Sequence, residues 1–80
     1  MAVKMGVFLK YEEWAEEKSL GSLTPRKAFL TVRNLAKYKG FEYARVVVSV
    51  DGAVIPDAAF RVEKASEVYE KFAGWHREDL

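Results

Sequence analysis

Residues 41–50, Phe41-Glu42-Tyr43-Ala44-Arg45-Val46-Val47-Val48-Ser49-Val50, leave the chain few options. β-branched and aromatic side chains crowd this run, and they fit a pleated backbone. Asp51-Gly52 follows, then Ala53-Val54-Ile55. Asp-Gly suits a two-residue hairpin loop, whose central residues both take positive φ. The pattern predicts a β-hairpin over about 41–55. Strand side chains alternate between faces. Ala44, Val46, Val48 and Val50 then form a core face. Phe41, Tyr43, Arg45, Val47 and Ser49 form a second face that mixes rings with a cation.

The 80 residues suit one domain spanning 1–80. A domain of this size hides only about 60% of its unfolded surface, so it needs tight packing or a partner. Cysteine is absent, which removes disulfides and thiolate metal sites and fits an intracellular setting. Apolar runs fall far short of about 18 residues, so neither a signal peptide nor a membrane span is expected, and the chain reads as cytoplasmic. Glutamine is absent, Asn34 is the sole asparagine, and 31% of residues are charged. Scarce amides and abundant Lys, Arg and Glu are a thermophile-like composition.

The flanking segments supply the remaining elements. In 2–9, Val3, Met5, Val7 and Leu9 alternate with Ala2, Lys4, Gly6 and Phe8, which favours a strand beside the hairpin. A helical stripe through Val3, Val7, Tyr11 and Trp14 competes, but Gly6 disfavours it by roughly 1 kcal/mol. Residues 11–20 read as a helix, with Tyr11, Trp14 and Ala15 inward, Glu12, Glu13, Glu16 and Glu17 solvated, and Gly21 as its left-handed stop. Thr24-Pro25 opens a second helix to Lys39, with Thr24 as cap and Pro25 in the first turn. Its apolar arc is Ala28, Phe29, Val32, Leu35 and Ala36.

After the hairpin two readings compete. Ala58, Val62, Ala65, Tyr69 and Phe72 are spaced as the seam of one long helix, 57–73, which is the favoured reading. In the other, residues 58–62 continue the strand past a bulge at Pro56-Asp57, and a shorter helix starts near Lys64. Trp75 either pins the chain end to the core or meets a partner. The expected fold is therefore α+β: a small antiparallel sheet built on the hairpin, with two or three helices packed on one face.

Charge is uneven. Residues 24–50 carry Arg26, Lys27, Arg33, Lys37, Lys39 and Arg45 against Glu42 alone, between acidic flanks. Separate elements of this kind give a polarised surface. Catalytic groupings are not found. The lone histidine, His76, lies in the tail. No serine has a base at a recognisable spacing, the glycines form no phosphate loop, and no metal-ligand or cofactor motif is present. The chain is read as non-enzymatic.

If the helices cover the valine face, the opposite face stays open. Lys4, Phe8 and Lys10 of the first strand would join Phe41, Tyr43 and Arg45 there. Interleaved rings and cations suit single-stranded nucleic acid, because rings stack on any base and cations track phosphates. Arg26, Arg33, Lys37 and Tyr38 would widen the footprint. The expected function is sequence-tolerant binding of single-stranded nucleic acid, DNA foremost, by a homodimer. The alternative is an assembly module whose rings are buried against a second copy or another protein. A third reading takes two helices plus a hairpin as a winged-helix binder of duplex DNA, with Asn34 the one adenine-reading candidate.

The strand Phe41–Val50, the basic helix Arg26–Lys39 and the thermophile-like composition resemble, in outline over residues 24–62, the small archaeal single-stranded-DNA-binding proteins of the ThermoDBP family. That resemblance implies an apolar, basic-rimmed cleft formed by sheet and helices. It assigns no role to any residue.

Overall fold

A computed structural model describes residues 2–75. Strand β1 (Val3–Tyr11) leads to β2 (Lys18–Leu23), helix α1 (Pro25–Leu35) and β3 (Phe41–Val50). Two short strands, β4 (Ala53–Val54) and β5 (Phe60–Val62), precede helix α2 (Ala65–Phe72). All pairings are antiparallel, and β1 lies between β2 and β3, while both β4 and β5 pair with β3. The fold is thus a small antiparallel sheet of five strands with two helices.

The hairpin forms as the sequence demands. Asp51 has φ 51° and Gly52 φ 86°, the pair of positive values that a right-twisting two-residue loop requires. Asp51 is also tied to the start of β1: its N–H donates to the Ala2 carbonyl and its Oδ1 accepts from the Ala2 N–H, each at 2.8 Å.

β1 is a strand, and its odd residues point inward. Met5, Val7 and Leu9 are buried with Ala44, Val46 and Val48 of β3 and Val62 of β5. From the other layer α1 adds Ala28, Phe29 and Val32, α2 adds Val68 and Phe72, and Ala36 closes the cluster. Burying one such large aliphatic or aromatic side chain is worth about 1.5–3 kcal/mol. α1 lies over β1 and β2, α2 lies over β5, and the helices touch each other. Neither helix is long and apolar enough to cross a membrane.

Two predicted helices are replaced. Residues 11–20 make no helix: the Trp14 N–H closes a turn onto the Tyr11 carbonyl at 3.0 Å, and β2 begins at Lys18. The Trp14 ring packs edge-on to Tyr11, with centroids 5.0 Å apart. That contact satisfies the same Tyr11/Trp14 spacing a helix would have used. Gly21 does take a left-handed φ of 88°, but inside a bulge of β2, where Leu20 and Gly21 oppose Val7 alone.

Residues 57–73 divide as the competing reading had it. Pro56–Ala58 form a single 3-10 turn, Phe60–Val62 pair with Ala44–Val46, and α2 starts only at Ala65. The reason is non-local. As a strand, Phe60–Val62 pairs with Ala44–Val46 and buries Val62 in the core, contacts that its own local periodicity does not encode. Glu67, in the first turn of α2, accepts from the Glu63 N–H at 3.0 Å and so marks the start.

α1 is capped by Thr24, whose hydroxyl accepts from the Lys27 N–H, but it ends at Leu35 rather than Lys39. The Leu35 carbonyl is engaged instead by the Tyr11 hydroxyl at 2.5 Å and the Tyr38 N–H at 3.3 Å. Gly40, at φ 89°, then turns the chain into β3. Trp75 packs against the core. His76 lies outside the described residues.

Candidate functional site

Both helices sit on the valine face, so the reverse of the sheet is uncovered by either. Strand register decides what that reverse face displays. Lys4 pairs with Ser49, Phe8 with Arg45 and Lys10 with Tyr43; Arg45 also pairs with Arg61 of β5. Lys4, Phe8, Lys10, Tyr43, Arg45 and Arg61 therefore share one surface, as alternation on β1 and β3 implied. Arg61 is not among the sequence candidates, because the favoured reading puts 57–73 in a helix; with 58–62 extended, as in the other reading, its alternation against Val62 places it there.

Phe41 does not join them. Tyr11 pairs with Phe41 while Lys10 pairs with Tyr43, so Glu42 is an extra residue in β3. This bulge breaks alternation and returns Phe41 to the helix side. There it meets Tyr11 edge-on, with centroids 6.0 Å apart, and packs against the core.

The displayed groups form stacked pairs. The Arg45 guanidinium lies 4.1 Å from the centre of the Phe8 ring, and that of Arg61 lies 4.0 Å from the centre of the Tyr43 ring. Phe8 and Tyr43 are half-buried, while the Arg45 and Arg61 side chains are 41% and 50% exposed. The arginine side chains thus meet solvent beside rings that are half-covered. Guanidinium planes stack on aromatic faces and keep their N–H edges for acceptors.

Three carboxylates attend the cations. Lys10 pairs with Glu42 at 2.8 Å, Arg61 with Glu63 at 2.9 Å and Arg45 with Glu17 at 2.6 Å. Glu17 also accepts from the Tyr43 hydroxyl at 2.9 Å. Its carboxyl is held below the usual carboxylate range, first by hydrogen bonding to Arg45 and then by the Tyr43 hydroxyl. The same bond to Glu17 pushes the Tyr43 hydroxyl above its ordinary value. Glu12, Glu13 and Glu16 are exposed, as a solvated run should be, but Glu17 is not one of them. Its role carries no signal in local spacing. Together with Trp14, Ala15, Glu16 and Lys18, Glu17 lines a hollow of about 320 Å³ beside this face.

Arg26 and Arg33 are carried by α1, which packs on the valine face, whereas Lys37 and Tyr38 lie in the connection between α1 and β3. Arg26 is exposed in the first turn of α1. Lys37 and Tyr38 are exposed beyond the end of α1, Tyr38 at 65%. Arg33 is drawn into the seam between helices: its Nη1 donates to the Tyr69 hydroxyl at 3.3 Å, and its guanidinium lies 5.5 Å from the Phe29 ring centre. The sheet and its core stand between α1, with Arg26 and Arg33, and Phe8, Tyr43 and Arg45. The winged-helix reading loses its first helix, since residues 12–17 are a connection and 18–23 a strand. Among the described residues no group of three or more acidic or histidine side chains could hold a metal ion.

No family model matches the chain, and neither a curated protein nor a solved structure matches it.

Proposed function

We propose that the chain binds single-stranded nucleic acid, without catalysis, on the open face of its sheet. The observation that carries this reading is the row Phe8, Arg45, Tyr43 and Arg61, two ring–guanidinium stacks side by side on the uncovered surface. A base continues such a stack on the outer plane of a guanidinium, and the N–H edges remain for phosphate oxygens. Lys4 and Lys10 extend the cationic track along β1. Phe41 is left out of this site, and Arg26, Arg33, Lys37 and Tyr38 contribute no direct contact to it.

Titration with a labelled oligothymidylate at several salt concentrations tests the reading. Four phosphate contacts set a log–log slope approaching about −3 for a single strand. Each cation that stays on its own carboxylate makes the slope shallower. Absence of binding at low salt, or a flat salt response, overturns the proposal.

One observation favours a second reading, a contact surface for a second copy or another protein. The face sets four cations (Lys4, Lys10, Arg45 and Arg61) against three carboxylates (Glu17, Glu42 and Glu63), so its field is nearly neutral. Neutral, half-apolar faces suit protein partners. Sedimentation separates the two: a tight dimer that ignores oligonucleotides supports the second.

A further inference from the structure

Arg45 and Tyr43 together make an anion seat that is filled from within the chain. Glu17 Oε1 accepts from Arg45 Nη2 at 2.6 Å, while Oε2 accepts from the Tyr43 hydroxyl at 2.9 Å and from Arg45 Nε at 3.4 Å. A forked carboxylate on a guanidinium edge occupies the position that a phosphate would take, since both anions match the same pair of N–H donors.

The segment that delivers Glu17 is fastened unevenly. At its root the Glu12 N–H donates to the Gly40 carbonyl at 2.8 Å, Trp14 bonds back to Tyr11, and Lys18 Nζ lies 4.3 Å from the Trp14 ring centre. Further on, the backbone of Ala15, Glu16 and Glu17 makes no hydrogen bond among the described residues. The polar hold on that stretch is the Glu17 carboxylate on Arg45 and Tyr43.

We infer that residues 15–17 form an internal strap, in which Glu17 masks a phosphate seat and an incoming phosphodiester must displace it. This rests on the nucleic-acid reading above and adds to it a built-in brake on affinity. Displacement exchanges one anion for another on Arg45, so it releases fewer counterions than contact with a free arginine. Without the Glu17 charge the seat is open, binding is tighter, and its salt dependence is steeper.

The test compares the full chain with Glu17→Gln and Glu16→Gln, using an oligothymidylate of about 12 nucleotides, within the span that compact single-strand binders cover. Both substitutions remove one negative charge from the same connection, but Glu16 is exposed and makes no contact with Arg45. Expected is an affinity about fivefold higher for Glu17→Gln than for Glu16→Gln, the scale of one part-exposed ion pair. The salt slope should also steepen, by less than the roughly 0.7 of one whole phosphate on a single strand, because the parent too places a phosphate on Arg45 once Glu17 is displaced. Circular dichroism melting of each variant verifies that the sheet is intact. Equal affinities for all three chains overturn the strap and leave the nucleic-acid reading standing. No binding by any of them overturns both.

Discussion

Phe8 and Arg45 face each other directly across β1 and β3, and the arginine uses its plane and its edge for different partners. The Arg45 Cζ lies over the ring, while its Nη2 and Nε donate to the Glu17 carboxylate. One guanidinium thus couples an aromatic surface to an anion seat.

Tyr43 combines the same two functions in one side chain. Tyr43→Phe keeps the ring under Arg61 and loses the hydroxyl bond to Glu17; Tyr43→Ala loses both. Oligonucleotide affinity should fall at least about tenfold in Tyr43→Ala, consistent with roughly 1–3 kcal/mol per stacked base. Tyr43→Phe should bind at least as tightly as the parent. Fluorescence anisotropy reads both, and an unchanged Tyr43→Ala removes Tyr43 from the site.

Acid should release Glu17. Its folded-state pKa is depressed, so its contribution to stability is present above the unfolded value of about 4.3 and is lost as pH falls through the lower folded value. Carbon NMR of the side-chain carboxyls should find the Glu17 midpoint below that of an ordinary glutamate. Arg45→Met should move it upward. A midpoint that ignores this substitution would place Glu17 away from Arg45.

Phe41 and Phe8 should separate stability from binding. Phe41→Ala strips a side chain packed on Tyr11 and the core, and should cost about 2 kcal/mol in urea unfolding, less than the roughly 3–5 of a fully buried phenylalanine. Its effect on oligonucleotide affinity should be small. Phe8→Ala should show the reverse balance. The opposite result would put Phe41 on the open face.

Helix-side cations should matter little. Lys37→Ala should leave the salt slope unchanged, because Lys37 lies in the α1–β3 connection and has no place in the row that the strand pairing sets. Arg61→Ala should make the slope shallower by up to about 0.7. A larger effect from Lys37 than from Arg61 would move the interface to the helices.

Tyr11→Phe isolates one hydrogen bond. The hydroxyl reaches the Leu35 carbonyl from the end of β1 and holds the last turn of α1 against the sheet. Its loss should cost about 1 kcal/mol in urea unfolding. No change in the midpoint would mean that the Tyr38 N–H alone serves that carbonyl.

What was legible in the sequence is what local chemistry decides. The alternation of Ala44, Val46 and Val48, the Asp51-Gly52 loop, the Thr24-Pro25 helix start and the inward set Met5, Val7 and Leu9 all stand in the structure. The misread segments were settled by distant partners. Phe60–Val62 pairs with Ala44–Val46, and Lys18–Leu23 pairs with Met5–Leu9, partners far away in the chain that local periodicity does not report. Tyr11 and Trp14 have a spacing that a helix and a tight turn satisfy equally. The Glu42 bulge and the reach of Glu17 to Arg45 leave no periodic trace, so the candidate site was only partly visible. Alternation on β1 and β3 marks Phe8, Tyr43 and Arg45, whereas Arg61 joins them through the pairing of β5 with β3 and Glu17 through a side-chain contact from a connection.

Both borders of the sheet are interrupted: β2 by the doubled residues Leu20 and Gly21, and the opposite margin by the Pro56–Ala58 turn between β4 and β5. Among the described residues, the row of outward amides and carbonyls is thus broken at both margins, a device that hinders pairing with a further ribbon. Copies of this molecule have no straightforward way to grow into a shared filament of strands.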